Sequence, residues 1–194
     1  MRKLSLCLLA IGMFVSSYAQ TSSPHQRIFG VHFVLNDFGT ATSLRTSGIV
    51  NVINSKQWKR TKGMVSGLAI SYMEGLTDHM DFTSSLSGSF LDYPVPGRPT
   101  QSQDAFLLEG TAAVNIRLLA DNYVVNPYLT IGAGASKYKG YYSAFIPTGV
   151  GFRVNIFNEA YIIFDAQYRI PVTETAAYHF YYSFGLAGNI GKKK

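Results

Sequence analysis

Two side chains near the C-terminus, His179 and Ser183, are of the types that hydrolyse esters and lipids. Both lie on one face of a segment, Tyr178 to Ile190, that alternates between large apolar residues and small or polar ones. Four residues of an extended strand span roughly 13 Å, too far for a nucleophile to hydrogen-bond to its base. The four histidines also lack the spacing of metal ligands. We therefore predict no catalytic residues, no cofactor and no metal site, and keep a lipid-modifying enzyme only as a minor alternative.

The charged side chains of the strand-like segments fall on the face that otherwise carries small residues. They are Asp81, Glu109, Arg117, Arg153, Asp165, Arg169 and His179. Charges on an enclosed face must pair or be hydrated, because an isolated buried charge is costly. We expect arginines of this set to neutralise Glu109 and Asp165, in an interior charge network that blocks any water path. The alternative is a proton or ion pathway. If the network is a plug, substituting Arg153 and Arg169 should raise conductance.

A basic cluster lies in a long connection near residue 60. It consists of Lys56, Lys59, Arg60 and Lys62, with Trp58 among them. One interpretation is contact with lipopolysaccharide phosphates through charge and an interfacial tryptophan. The other, which we favour, is a solvated loop near an anionic membrane surface.

The elements that carry these residues are eight segments of period-two alternation. The last is the clearest, because Phe180, Tyr182, Phe184 and Leu186 alternate with small or polar residues. Such alternation over about ten residues predicts β-strands. The connections alternate between short ones, such as 75–79, and longer ones, at 37–61, 92–104, 139–143 and 173–176. The predicted fold class is therefore all-β, an eight-stranded antiparallel up-and-down barrel.

The chemistry of the two faces indicates which face meets lipid. Charged residues make up 14% of the chain and aromatic residues another 14%, whereas charged residues average about 25% in soluble proteins. A soluble lipocalin-like barrel would carry lysine and glutamate outside and apolar residues inside. Here the second face is small and polar, which suits a narrow barrel interior. The sequence therefore predicts transmembrane β-strands, with the large apolar side chains facing lipid.

The N-terminal residues have the pattern of an export signal. A short basic start, Met1 to Lys3, precedes an apolar run, Leu4 to Val15, and a small-residue cleavage pattern that ends at Ala19. We predict a signal peptide over 1–19 and a single barrel domain over 20–194. The one cysteine, Cys7, lies in the signal, so the mature chain has no disulfide. The net charge of +6 is scattered along the chain and does not indicate nucleic-acid binding.

Several segments resemble the N-terminal barrel of OmpA-like outer-membrane proteins, particularly those of Bacteroidetes. They are Asn126–Gly134, Ile146–Gly151, Ala166–Arg169 and Tyr182–Lys193. The resemblance covers most of the mature chain and is strongest from Asn126 onward. It implies a bacterial outer-membrane barrel and identifies a superfamily rather than an activity.

These observations favour a cell-envelope protein that is not an enzyme. We expect a structural or surface-interaction role, with a porin-like narrow pore for small solutes as the alternative and a soluble lipocalin-like carrier as a weaker one. The expected localisation is the cell outer membrane, with both termini in the periplasm and the longer loops extracellular. The expected partners are outer-membrane lipid, lipopolysaccharide and, during biogenesis, the barrel assembly machinery. We expect a monomer and no nucleic acid.

Overall fold

The computed structural model describes residues 26–55, 61–96, 104–119, 123–156 and 159–190. Its described part contains eight strands: β1 (Arg27–Asp37), β2 (Val65–Thr77), β3 (Met80–Leu91), β4 (Ala105–Arg117), β5 (Val125–Tyr138), β6 (Tyr141–Ile156), β7 (Ala160–Pro171) and β8 (His179–Asn189). Each strand pairs with the next along the chain, and β8 pairs with β1, so the sheet closes into a barrel. All these pairings are antiparallel. The predicted fold class is confirmed. The predicted signal peptide lies outside the described residues.

The alternation of side chains turns the large apolar residues of each strand outward. In β1, Val31 is 55% exposed and Phe33 is 49% exposed, whereas His32 and Val34 between and after them are buried. Closure preserves this arrangement, because Phe33 lies opposite Phe184 of β8, another outward side chain. A slip of one residue would reverse both faces, so the alternation defines the register of the closing pair.

The two ends of the barrel differ in their connections. We call the end that carries the β1–β2, β3–β4, β5–β6 and β7–β8 connections the helix end. The other, which carries the β2–β3, β4–β5 and β6–β7 connections, is the opposite end. The β1–β2 connection contains α1 (Phe38–Ser47), α2 (Ile49–Asn54) and a 3-10 turn (Thr61–Gly63). No helix in the described ranges is long and apolar enough to cross a membrane.

The long connection predicted at 37–61 contains these two helices, which the alternation pattern did not indicate. The Asp37 carboxylate caps α1 by accepting a hydrogen bond from the Thr40 backbone N–H at 2.8 Å. Gly48 ends α1 with a φ of 76°, a conformation that favours glycine. These two capping residues define the helix, although its threonine- and serine-rich sequence has no clear apolar stripe.

The β5–β6 connection is also shorter than predicted. The sequence suggested a longer link over 139–143, but β5 and β6 are joined by a two-residue turn at Lys139 and Gly140. Tyr141 already pairs with Tyr138, so the strand resumes immediately. Lys139 has a φ of 52°, in the left-handed region that tight hairpin turns require.

Candidate functional site

The barrel interior contains a buried charge cluster at the helix end. Arg169 of β7 forms an ion pair with Glu109 of β4, and both side chains are almost fully buried. His179, which lies beside Arg169 on β8, places its Nε2 atom 3.5 Å from the Glu109 carboxylate. The Arg169 guanidinium carbon also lies 3.7 Å from the centroid of the Tyr181 ring and 4.8 Å from that of Phe145. This cluster joins strands on opposite walls of the barrel.

A second charge cluster lies near the opposite end. The Asp81 carboxylate of β3 lies 3.2 Å from the Arg117 Nε atom and 3.4 Å from the Arg153 Nη1 atom. Arg117 also donates to the Thr77 carbonyl oxygen at 3.0 Å. Arg153 packs over the Tyr161 ring, 5.1 Å from its centroid. Arginines from two strands therefore share one carboxylate at this end of the interior.

The third inward carboxylate, Asp165, has hydroxyl partners. It accepts hydrogen bonds from Tyr128 at 2.6 Å and from Ser183 at 3.1 Å. In the described part of the chain no arginine pairs with it, so the expectation that an arginine neutralises Asp165 is wrong. The reason is local: Tyr128 and Ser183 lie within direct reach of the carboxylate. The arginines instead pair with Asp81 and Glu109, nearer the barrel ends.

Small polar side chains fill the space between the two charge clusters. Asn115 donates to Thr83 at 2.9 Å and accepts from Thr130 at 2.8 Å. Ser85 and Thr111 share a hydrogen bond of 2.6 Å. These groups surround a cavity of about 30 Å³, which has room for only a few water molecules. The middle layer of the described interior is therefore a hydrogen-bonded polar core.

The glycines of the interior reflect the same crowding. A Cβ atom at Gly149 would lie 2.2 Å from the Ala166 carbonyl oxygen, and one at Gly132 would lie 2.3 Å from the Ala112 carbonyl oxygen. Both contacts involve backbone atoms of the neighbouring strand, which cannot move aside without breaking the sheet. Glycine at these positions allows the strands to approach.

All seven predicted network residues point into the barrel, but they form three groups. Among these seven residues the formal charges balance, with carboxylates at Asp81, Glu109 and Asp165 and guanidinium groups at Arg117, Arg153 and Arg169. Balance within a low-dielectric interior is what makes buried charge tolerable. The grouping required knowledge of which strands face each other, which the sequence alone did not provide.

The remaining candidates do not assemble a reactive centre. The His179 Nδ1 atom lies 3.0 Å from the Ala177 carbonyl oxygen, within hydrogen-bonding distance. Ser183 instead donates a hydrogen bond to Asp165. The two side chains therefore have separate partners. Lys56, Trp58, Lys59 and Arg60 lie outside the described residues, as does the side chain of Lys62.

No known protein family and no curated protein sequence matches the chain. Solved structures do match it. OprG from Pseudomonas aeruginosa matches with a TM-score of 0.56 and 10% identity over 87% of this chain and 96% of that chain. The N-terminal β-barrel domain of P. aeruginosa OprF gives 0.53 and 9%, over 86% and 99%. Ail, the attachment invasion locus protein of Yersinia pestis, in complex with the heparin analogue sucrose octasulfate, gives 0.50 and 12%, over 86% and 99%. The fold is that of eight-stranded outer-membrane barrels. The narrower resemblance to Bacteroidetes proteins stays a prediction.

Proposed function

We propose that the chain is an integral outer-membrane barrel with a closed interior, which acts through its structure and its exposed helix end. The observation that carries this proposal is the inverted distribution of side chains. Outward residues such as Leu68, Ile131 and Leu186 are 66%, 56% and 62% exposed. Exposed large apolar side chains of this kind occur on every one of the eight strands, whereas monomeric soluble proteins rarely expose a contiguous apolar patch larger than a few hundred Å².

The dimensions and closure of the sheet support membrane insertion. Strands of 11 to 16 residues are long enough to cross a bilayer, which requires about 9–11 tilted residues. The closed sheet leaves no unpaired edge, so the backbone needs no water at that depth. A soluble lipocalin-like carrier would need the reverse arrangement, with an apolar interior and a polar exterior.

The proposed orientation follows from where the described chain begins and ends. Arg27 at the start of β1 and Asn189 at the end of β8 both lie at the opposite end, which carries the short connection 78–79. Bacterial barrels have short periplasmic turns and longer extracellular connections. The helix end, with α1 and α2, is accordingly extracellular in this proposal.

The surface-interaction role rests on the helix end. On α2 the side chains of Ile49, Val50 and Ile53 are 59%, 65% and 60% exposed. Exposed apolar side chains grouped in this way mark contact sites. Ail, which shares the fold, has been solved with a heparin analogue, so a barrel of this kind can carry a ligand. Contact between lipopolysaccharide and the basic cluster at 56–60 stays a prediction, testable by substituting Lys59 and Arg60 with glutamine and measuring lipopolysaccharide binding.

The first test is electrophoretic mobility of the outer-membrane fraction, with and without boiling in SDS. A closed barrel resists cold SDS, so we expect a heat-dependent shift in that fraction. A protein found only in the soluble periplasm, without a shift, would contradict the proposal and favour the carrier.

Conductance in planar bilayers separates the closed barrel from the narrow pore. We expect the unmodified protein to be silent, because each charge cluster obstructs one end. Replacing Arg153 and Arg169 together with alanine should open small steps, larger than either single change gives. Lys137→Ala, which removes an exposed cation at the helix end, should leave the bilayer silent. Steady conductance by the unmodified protein would establish the pore instead.

A further inference from the structure

A cleft of about 650 Å³ lies at the helix end, outside the barrel interior. Its walls come from α1, from the segment that follows β3 and from the β7–β8 connection. They include Phe38, Arg45, Pro94, Val172, Glu174 and Tyr178. The volume falls within the range of about 300–1,000 Å³ that small-molecule sites occupy. Most of the wall is apolar, so its two charged side chains stand out.

Arg45 and Glu174 are opposite charges that line this cleft without pairing. The Arg45 guanidinium carbon lies 3.9 Å from the centroid of the Tyr178 ring. Stacking of this kind holds the plane of the guanidinium and leaves its N–H edge for another group. Among the described residues no ion pair joins Arg45 to Glu174 or to any other carboxylate. A ligand that carries both charges could therefore bridge the two.

The cleft adjoins the lipid-facing surface of the barrel. Tyr178 stacks on Tyr168, an outward residue of β7, with ring centroids 5.9 Å apart. Tyr168 also contacts Phe180, with centroids 4.9 Å apart. Val172, in the cleft wall, is 63% exposed. Tyrosines at the end of a membrane strand lie at the level of lipid headgroups, so this aromatic cluster places Arg45 there as well.

We propose that the cleft binds a zwitterionic lipid headgroup, one that joins a phosphate and an ammonium group. Its phosphate accepts hydrogen bonds from Arg45, and its ammonium donates to Glu174. The apolar part of the lipid packs against Pro94, Val172 and Tyr178. This inference rests on the proposed membrane insertion.

The charge of the wall favours this ligand over a simple anion. One cation and one carboxylate give the lining no net charge, so a lipid with a phosphate alone would meet repulsion from Glu174. A planar guanidinium fork suits phosphate oxygens, and a carboxylate suits an ammonium group with its three N–H donors. A lipid that joins these two groups on one headgroup satisfies both residues.

The test measures lipid retention by native mass spectrometry of the full protein released from an uncharged maltoside detergent. The probes are phosphatidylethanolamine and phosphatidylglycerol, which share the phosphate but differ in the ammonium. We expect the unmodified protein to retain phosphatidylethanolamine preferentially. Arg45→Gln and Glu174→Gln should each lower its retention about tenfold, the scale of one lost charge-assisted contact. Glu174→Gln should raise retention of phosphatidylglycerol.

The matched control is Lys137→Gln. Lys137 is also an exposed cation over a tyrosine at the helix end, with its Nζ atom 5.5 Å from the Tyr142 ring centroid, but it lies outside the cleft. We expect this variant to bind like the unmodified protein. An equal loss in Lys137→Gln would reduce the effect to general surface charge and overturn the inference. Equal retention of both lipids, unchanged by Glu174→Gln, would overturn it as well.

Two further arms separate the remaining outcomes. Soluble phosphoethanolamine at millimolar concentration should not displace the lipid; efficient displacement would show that the cleft takes free zwitterions and overturn the lipid assignment.

Each variant is first checked for the heat-dependent gel shift, which reports whether the barrel has folded. If Arg45→Gln fails this check, Arg45→Lys keeps the charge but loses the planar fork and should still weaken binding. A barrel that inserts but shows no lipid preference refutes this inference alone, whereas a chain that never inserts refutes the proposed function.

Discussion

Replacing Arg169 with methionine should destabilise the barrel far more than its single salt bridge would suggest. Arg169 is 1% exposed and forms an ion pair with Glu109, which is 2% exposed. The substitution leaves the Glu109 carboxylate buried without a guanidinium partner, with the His179 Nε2 atom 3.5 Å away. Removing one partner of a buried pair costs about 3–5 kcal/mol. Methionine retains packing against Tyr181, so the loss is mainly electrostatic.

The matched double variant tests that reasoning. Changing Glu109 to glutamine in the Arg169→Met background removes the stranded charge, and replacing both members of a buried pair is often close to neutral. We therefore expect the double variant to lie within about 2 kcal/mol of the unmodified protein. Lys137→Met, at an exposed position, should change stability by less than about 0.5 kcal/mol.

The assay is urea unfolding of the protein folded into phospholipid vesicles, followed by the gel mobility of the cold sample. The midpoint and slope give the free energy of unfolding for each variant. The coupling energy is the difference between the double variant and the sum of the two single variants. If the double variant loses as much as that sum, Glu109 and Arg169 do not stabilise each other, and the reasoning is refuted.

Glycine, tyrosine and aspartate positions give three further expected outcomes. Gly149→Ala, whose Cβ would meet the Ala166 carbonyl oxygen at 2.2 Å, should lower the free energy of unfolding by about 1–3 kcal/mol. Gly110→Ala, with its nearest contact at 3.9 Å, should be neutral, and an equal loss in both would contradict the crowding argument. Burial raises the pKa of Tyr93 to about 12. The contribution of the neutral, buried Tyr93 to the free energy of unfolding is therefore complete below pH 10 and is lost as the pH rises towards 12. Unfolding measured across that range should show a smaller alkaline loss in Tyr93→Phe. Asp81→Asn, which weakens two ion pairs at once, should cost about 3–5 kcal/mol in the same urea assay.

The strands were predictable because their signal repeats every two residues over the whole barrel height. In β8, His179 and Tyr181 lie inside, whereas Phe180 and Tyr182 lie outward. Because side chains alternate with a period of two, assigning one residue of a strand to the inward or outward face assigns all the others. The same logic placed every candidate charge on the inward face, since charges and small residues share the positions that lipid excludes.

The connections and the pairings were less predictable, for separate physical reasons. Helix α1 depends on two capping residues, Asp37 and Gly48, and has no apolar stripe to reveal it. The turn at Lys139–Gly140 was missed because both flanking strands are longer than the alternation suggested. Pairing across the barrel depends on the stagger between strands, which links residues 60 positions apart, as in Glu109 and Arg169. The cleft at Arg45 combines three connections and had no local signal.

The proposed membrane setting changes which contacts can specify this fold. Outside the barrel, an apolar side chain exchanges one apolar neighbour for another, because lipid tails are as apolar as leucine. Burial against the sheet exterior therefore gives little preference for one arrangement of strands over another. Inside, each polar group that lacks a partner incurs a desolvation cost. The pairing of Glu109 with Arg169 and of Asp165 with Tyr128 is satisfied only when the correct strands face each other. In the proposed closed barrel, the interior pairs that obstruct the lumen thus also favour the native arrangement of strands, so a variant that opens a pore should lose stability as well.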